Sequence, residues 1–217
     1  SLPAEFVHYP PPEGPGERHR PAITTGLGLG NSGVEALLSG LYEVIERDAT
    51  MLAWYSTYDP LGLAVDDAGF DALVSRARAV GLSVTPTLLT ADVDVPVVAV
   101  AVHRDGEWPR FALGSGADLD ATAAARSALA EALQNWMELR AMGPADAAAE
   151  EGAIGRYADR PPAAAEFVDV DGSVPASSVG PETVPAGEAE LDAVVDRAAA
   201  AGLSTYAARI TTSDVAS

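Results

Sequence analysis

The sequence predicts a mixed α/β fold in which helices cover a sheet of at least four strands. Three observations predict it. Two helix-like stretches stop at a glycine and give way to strand-like sequence: Asp67–Val80 before Gly81 and Leu82–Leu89, and Glu188–Ala201 before Gly202 and Ser204–Ile210. Val95–His103 is almost wholly apolar, as a strand buried on both faces must be. Two longer runs, Ser32–Tyr55 and Asp120–Ala141, have helical spacing and suitable caps at Asn31 or Ser32 and at Asp120.

The remaining elements follow in order. Residues 1–21 are rich in proline and glycine and read as an extended lead-in, with a short strand at Phe6–Tyr9. Asp105-Gly106 signals a turn, and Arg110–Leu113 the returning strand. Gly114-Ser115-Gly116 reads as a chain break before the Asp120 helix. Residues 143–187 carry alanine, proline, glycine and acid, and read as a flexible excursion with one helical turn near Glu150–Tyr157. The two helix–glycine–strand units echo each other, Ala79-Val80-Gly81-Leu82-Ser83 against Ala200-Ala201-Gly202-Leu203-Ser204. A repeated unit on one sheet and convergent helix-stop chemistry explain the echo equally well.

Composition excludes several classes of function. The 217 residues include no cysteine, so disulfides, thiolate metal sites and a cysteine nucleophile are absent. No run approaches the roughly 20 apolar residues of a membrane span, and a cytoplasmic location is expected. Asp and Glu number 32 against 13 basic residues, for a net charge of −19. Such a surface repels nucleic-acid phosphates, so no nucleic-acid partner is expected. All the basic residues are arginine. A salt-rich cytosol and a GC-rich genome each account for the missing lysine.

The helix at Ser32–Tyr55 carries the most chemical information. At 3.6 residues per turn, Glu35, Ser39, Glu43 and Glu46 share a narrow arc opposite Leu37, Leu38, Leu41, Val44 and Ile45, and Arg47 flanks that arc. A solvated face in a very acidic protein explains the same stripe. The glycine run Gly26-Leu27-Gly28-Leu29-Gly30 in front of the helix favours a second reading. Exposed N–H groups and the positive helix end suit a phosphate, and carboxylates beside a phosphate are reconciled by Mg²⁺.

The stretch Thr25-Gly-Leu-Gly-Leu-Gly-Asn-Ser-Gly-Val-Glu-Ala-Leu-Leu-Ser-Gly-Leu-Tyr-Glu-Val-Ile-Glu-Arg-Asp48 closely resembles the second nucleotide-binding segment of YcaO proteins. There a Gly-Asn-Ser/Thr turn opens a helix ending in Glu-Val-Ile-Glu-Arg-Asp. The resemblance implies that Asn31, Arg47 and Ser39 contact ATP, and that Glu35, Glu43 and Glu46 hold Mg²⁺. The later stretch Gly114–Gln134 looks like a second family segment, a Gly-x-Gly turn followed by an Ala-Leu-x-Glu-Ala-x-Gln helix. It adds Arg126 and Gln134 as ATP contacts and Glu131 as a metal ligand. An Ala-rich helix with Glu131, Gln134 and Glu138 facing water is the plainer alternative. Trp136 stands where the family often has an arginine.

The resemblance implies a YcaO-like mixed sheet with an ATP site between helices and sheet, and residues 1–217 as a partial YcaO domain. It lacks an upstream Ser-Ala-x-x-Glu-Ala-x-Glu-Arg segment and a proline-rich C-terminal tail. The expectation is therefore a central piece that is inactive alone. The implied activity of the full-length protein is ATP-dependent O-phosphorylation of peptide amides, giving azolines in ribosomally made peptides. Thioamide formation with a TfuA-like partner, an accessory role in ribosomal protein methylthiolation, and a non-catalytic halophilic α/β module are the alternatives. Implied partners are a peptide or protein substrate, an E1-like or TfuA-like protein, and a second copy in a homodimer. Other residues carry less: His8, His19 and His103 read as strand or loop fillers, Trp54, Tyr55 and Tyr58 as core packing, and Asp118 with Asp120 as helix caps.

Overall fold

A computed structural model describes residues 24–55, 60–149 and 167–210. The elements are α1 (Gly33–Tyr55), β1 (Leu61–Ala64), α2 (Ala68–Ala79), β2 (Ser83–Leu88), β3 (Val97–His103), β4 (Phe111–Ala117), α3 (Ala121–Met142), α4 (Pro144–Ala149), β5 (Ser173–Pro175), a 3-10 turn at Ala176–Ser178, and α5 (Glu188–Ala200). The expected lead-in, the Phe6–Tyr9 strand, His8, His19, Tyr58 and the helical turn near Glu150–Tyr157 lie outside the described residues.

The strands form one five-stranded sheet in the order β4-β3-β2-β1-β5. Pairing is antiparallel from β4 to β1 and parallel between β1 and β5. The sheet is covered on both faces. Val98, Val100 and Val102 of β3 pack with Phe70 and Val74 of α2 and with the alanine face of α3. Val97, Ala99 and Ala101 pack with Leu38, Ile45 and Ala49 of α1 and Val194 of α5. Burial on both faces is why β3 shows no polar alternation.

Helix boundaries follow their caps. Asp67 accepts the Phe70 N–H at 2.7 Å and opens α2. Asp120 accepts the Thr122 N–H at 2.9 Å and opens α3, while Asp118 accepts the Asp120 N–H at 2.7 Å. At the C-termini of α2 and α5 the same motif recurs. Gly81 and Gly202 take positive φ of 81° and 82°. The following N–H groups bond back in each case, Leu82 to the Ala77 carbonyl and Leu203 to the Ala198 carbonyl. The internal echo therefore holds for the helix stops. It fails for the second strand: Ser204–Ile210 pairs with nothing among the described residues, and Leu203, Tyr206 and Ile210 are exposed.

Three further expectations are corrected. Gly114-Ser115-Gly116 is no break but part of β4. A Cβ on Gly114 would stand 2.3 Å from the Ala128 carbonyl oxygen, and one on Gly116 2.5 Å from that of Ala124. These glycines let the backbone of α3 lie directly on the strand, against its fully buried Ala124, Ala128 and Ala132. Residues 167–187 are not a flexible excursion. Phe167 is fully buried and stacks on Trp54 at 5.3 Å, and β5 pairs with β1. Tyr55 does not pack in the core; it is 75% exposed.

Candidate functional site

The site begins at the N-terminus of α1, where the Ser32 hydroxyl accepts the Glu35 N–H at 3.1 Å. The glycine run ahead of it does not stand open toward a phosphate, as its sequence suggested. It folds back along α1. A Cβ on Gly28 would lie 1.8 Å from the Ala36 carbonyl oxygen and 2.6 Å from the Gly40 nitrogen. Only a residue without a side chain can sit so close to a helix backbone. Two N–H groups of this segment turn to the acidic row: Asn31 donates to Glu35 Oε2 at 2.7 Å, and Gly26 donates to Glu43 Oε2 at 3.1 Å.

Further along α1, Glu46 reaches β4. Ser115 Oγ donates to Glu46 Oε1 at 2.6 Å, and the Ser115 N–H donates to Glu131 Oε2 of α3, also at 2.6 Å. Among the described residues β4 is the edge strand of the sheet, so its outward backbone groups have no strand partner there. α3 satisfies them instead. Glu131 takes the Ser115 N–H, and Asn135, one turn later, donates to the Leu113 carbonyl at 2.9 Å.

Electrostatics put these groups in one neighbourhood. The Glu46 pKa is raised above the usual carboxylate value, chiefly by burial. The Ser115 hydrogen bond and nearby Arg47 oppose this, while the charges of Glu131 and Glu43 add to it. Next to Glu43, Tyr42 anchors the helix: its hydroxyl donates to Glu190 Oε1 of α5 at 2.9 Å and accepts the Leu119 N–H at 3.3 Å. Burial, then the Glu190 hydrogen bond, raises the Tyr42 phenol well above its ordinary range.

The other sequence-derived residues are placed as follows. Ser39 is exposed on α1 between Glu35 and Glu43, Asn31 is exposed just ahead of the helix, and Arg47 is exposed beside Glu46. Gln134 is exposed on α3, its Nε2 donating to Glu138 Oε1 at 3.0 Å. Arg126 does not join the carboxylates. Its guanidinium grips Asp67 at the start of α2, through Nε at 2.8 Å and Nη2 at 2.6 Å. It stands five residues before Glu131, about 140° around the helix. Sequence reasoning missed Ser115, Asn135 and Tyr42. Reading Gly114-Ser115-Gly116 as an alternating strand is the signal that would have turned the Ser115 side chain away from α3 and toward α1.

The four carboxylates share one property. Glu35, Glu43, Glu46 and Glu131 each have one oxygen fixed by a backbone N–H or by Ser115, and make no other hydrogen bond among the described residues. No three acidic or histidine side chains among the described residues form a ready-made metal cage. That donor set fits Mg²⁺, which takes hard oxygens, keeps waters, and uses one or two carboxylates together with nucleotide phosphates.

The family described as YcaO cyclodehydratase, ATP- and Mg²⁺-binding, matches residues 1–216. The chain belongs to the YcaO family. An uncharacterised protein of Methanothermobacter thermautotrophicus is 37% identical over 145 residues, covering 62% of this chain and 37% of its own length. An uncharacterised protein from the tfuA 3′ region of Rhizobium leguminosarum bv. trifolii is 30% identical over 125 residues, 51% of this chain and 29% of its own. Among solved structures, YcaO from Methanopyrus kandleri bound with AMPPCP and Mg²⁺ matches with a TM-score of 0.69 and 26% identity, over 85% of this chain and 49% of that one. A heterocyclase in complex with substrate and cofactor shares the fold, with a TM-score of 0.73 and 24% identity, over 90% of this chain and 27% of that one. The chain thus spans half or less of the length of these relatives. The YcaO fold accounts for the mixed five-stranded sheet with helices on both faces. Among the described residues no helix is long and apolar enough to cross a membrane.

Proposed function

We propose that this chain carries part of the Mg²⁺–nucleotide site of an ATP-dependent enzyme that O-phosphorylates peptide backbone amides, giving azoline heterocycles in ribosomally made peptides. The observation that carries this reading is the set of four carboxylates, each oriented by one fixed oxygen: Glu35 and Glu43 against the glycine segment, and Glu46 and Glu131, from two helices, at Ser115 of β4. Glu46 and Glu131 hold one cation position, and Glu35 and Glu43 extend it toward the glycine segment. Asn31, Ser39, Arg47 and Gln134 line the rim, where they contact the polar atoms of the nucleotide. Mg²⁺, when bound, supplies neutralisation of phosphate charge. The protein residues contribute positioning and fixed dipoles, from which most of the rate enhancement of phosphoryl transfer comes.

The test is Mg-ATP binding by the full-length protein with Glu43 and Glu46 changed to Gln. Affinity is expected to fall by about tenfold or more for each change. Unchanged binding favours the non-catalytic module. A second reading, thioamide formation with a TfuA-like partner, draws support from the relative in the tfuA 3′ region. The mass of the modified peptide separates the two readings: azolines lose water, whereas thioamides exchange oxygen for sulfur.

A further inference from the structure

Two carboxylates brought together without a cation repel each other, and side chains as long as glutamate swing apart into solvent unless something holds them. Glu46 and Glu131 are both only half-buried, so solvent is within their reach. Ser115 opposes that escape with two divergent donors. Its side chain lies on the face of β4 toward α1, where Oγ meets Glu46. Its N–H lies in the plane of the sheet and points out of the open edge, where Glu131 accepts it. Three features of the fold make this possible. Among the described residues β4 has no outer partner strand. Gly114 and Gly116 let α3 approach within backbone contact of the strand. Asn135, bound to the Leu113 carbonyl, sets the register of α3 along that edge.

We propose that Ser115 is a positioning residue for the cation of the nucleotide site: it fixes one oxygen each of Glu46 and Glu131 so that their remaining oxygens share a single Mg²⁺. This assignment rests on the function proposed above. Ser115 does not touch the cation; it acts through the two carboxylates, as outer-shell partners of metal ligands do. The hydroxyl arm and the amide arm separate by mutation. Ser115→Ala removes the hydroxyl and keeps the amide. Ser115→Thr keeps both and suits a strand.

The experiment titrates Mg²⁺ into the full-length protein by calorimetry at a fixed concentration of a non-hydrolysable ATP analogue. Melting temperatures are read without ligand. Ser115→Ala is expected to weaken Mg²⁺ binding about tenfold, while Ser115→Thr stays within about twofold of wild type. Both variants are expected to melt like wild type without ligand. Equal Mg²⁺ affinity in wild type and Ser115→Ala overturns the assignment. So does a Ser115→Thr variant as weak as Ser115→Ala, or a weakened Ser115→Ala that also melts well below wild type and is not rescued by Thr. A wild type with no Mg²⁺-dependent nucleotide binding sinks the proposed function itself, and this assignment with it.

Discussion

Glu46 and Glu131 stand on helices that cover opposite faces of the sheet, and they meet across its open edge at Ser115. A carboxylate pair of this kind needs an edge strand. An additional strand beside β4 would take the Ser115 N–H and expel Glu131. The acidity of the pair and the unpaired edge are therefore one design, in which side chains of α3 occupy the place of a sixth strand.

The charge state of Glu46 is tied to stability. Its folded-state pKa is raised, first by burial and then by the neighbouring carboxylates. Its contribution to stability is present below the unfolded pKa and is lost as pH rises through the folded value. Without metal, the ionised form of Glu46 therefore weakens the fold. Glu46→Gln should melt higher than wild type at pH 7, and the gap should close as the pH is lowered through the carboxylate range. Mg²⁺ and nucleotide should shift the balance toward the wild type, because at equal ligand concentration the tighter binder gains more stability. Thermal melts across pH, with and without Mg-nucleotide, check both halves. Identical melts at pH 7 without metal contradict the burial argument.

The glycine segment provides a matched pair of substitutions. A Cβ at Gly28 meets helix backbone at 1.8 Å, and backbone cannot step aside as a flexible side chain can. Gly28→Ala should lift the segment from α1, destabilise the protein by about 1–3 kcal/mol, and release Glu35 and Glu43 from their N–H partners. Mg-nucleotide affinity should then fall by about tenfold. At Gly33, in the first turn of α1, a Cβ meets nothing within 4 Å. Gly33→Ala should leave binding alone and add about 0.5–1 kcal/mol of stability through helix propensity. Denaturant unfolding and calorimetric binding on the two variants give the comparison. Equal behaviour would falsify the packing role given to Gly28.

Much of this architecture was legible in sequence because it is written in local chemistry. Asp67 and Gly81 bracket α2, Asp120 opens α3, and the 3.6-residue period aligns Glu35, Glu43 and Glu46. What stayed hidden depends on partners distant in the chain. β1 and β5 are short, and they exist because Gly62 pairs with Ser173, far along the sequence. Gly114 and Gly116 look like chain breakers until α3 is seen lying on them. Gly26–Gly30 looks like an open phosphate loop until Gly40 is seen beneath it. The bridge from Arg126 to Asp67 likewise depends on the approach of α2 to α3.

Thr50 offers a sharper test of burial. It stands four residues after Glu46 on the same face of α1, is 7% exposed, and its hydroxyl has no hydrogen-bond partner among the described residues. An unsatisfied buried hydroxyl costs free energy that an isosteric methyl does not. Thr50→Val should raise stability by about 1 kcal/mol, which shifts the melting temperature upward by about 2–4 °C for a chain of this size. The measurement is made without ligand. A lower melting temperature would mean that the hydroxyl is satisfied by a group beyond the described residues.

Asp67 performs two tasks that respond differently to conditions. Its carboxylate caps α2 through the Phe70 N–H and forms a paired bridge to Arg126 of α3. The Arg126 hydrogen bonds, then the Phe70 N–H, hold its pKa below the usual value. Its stabilising effect is therefore present above the unfolded pKa and disappears as pH falls through the folded one. At pH 7 the melting temperatures should rank wild type above Asp67→Asn and Asp67→Ala lowest, because Asn keeps the cap and loses the ion pair. Acidification should bring wild type toward Asp67→Asn. The Arg126 guanidinium is half exposed, so its contribution is screened by salt. High salt should accordingly narrow the gap between wild type and Arg126→Ala while leaving most of the gap to Asp67→Ala, where the short-range cap is also missing. If salt closes both gaps equally, the cap contributes nothing and the tie between α2 and α3 is purely ionic.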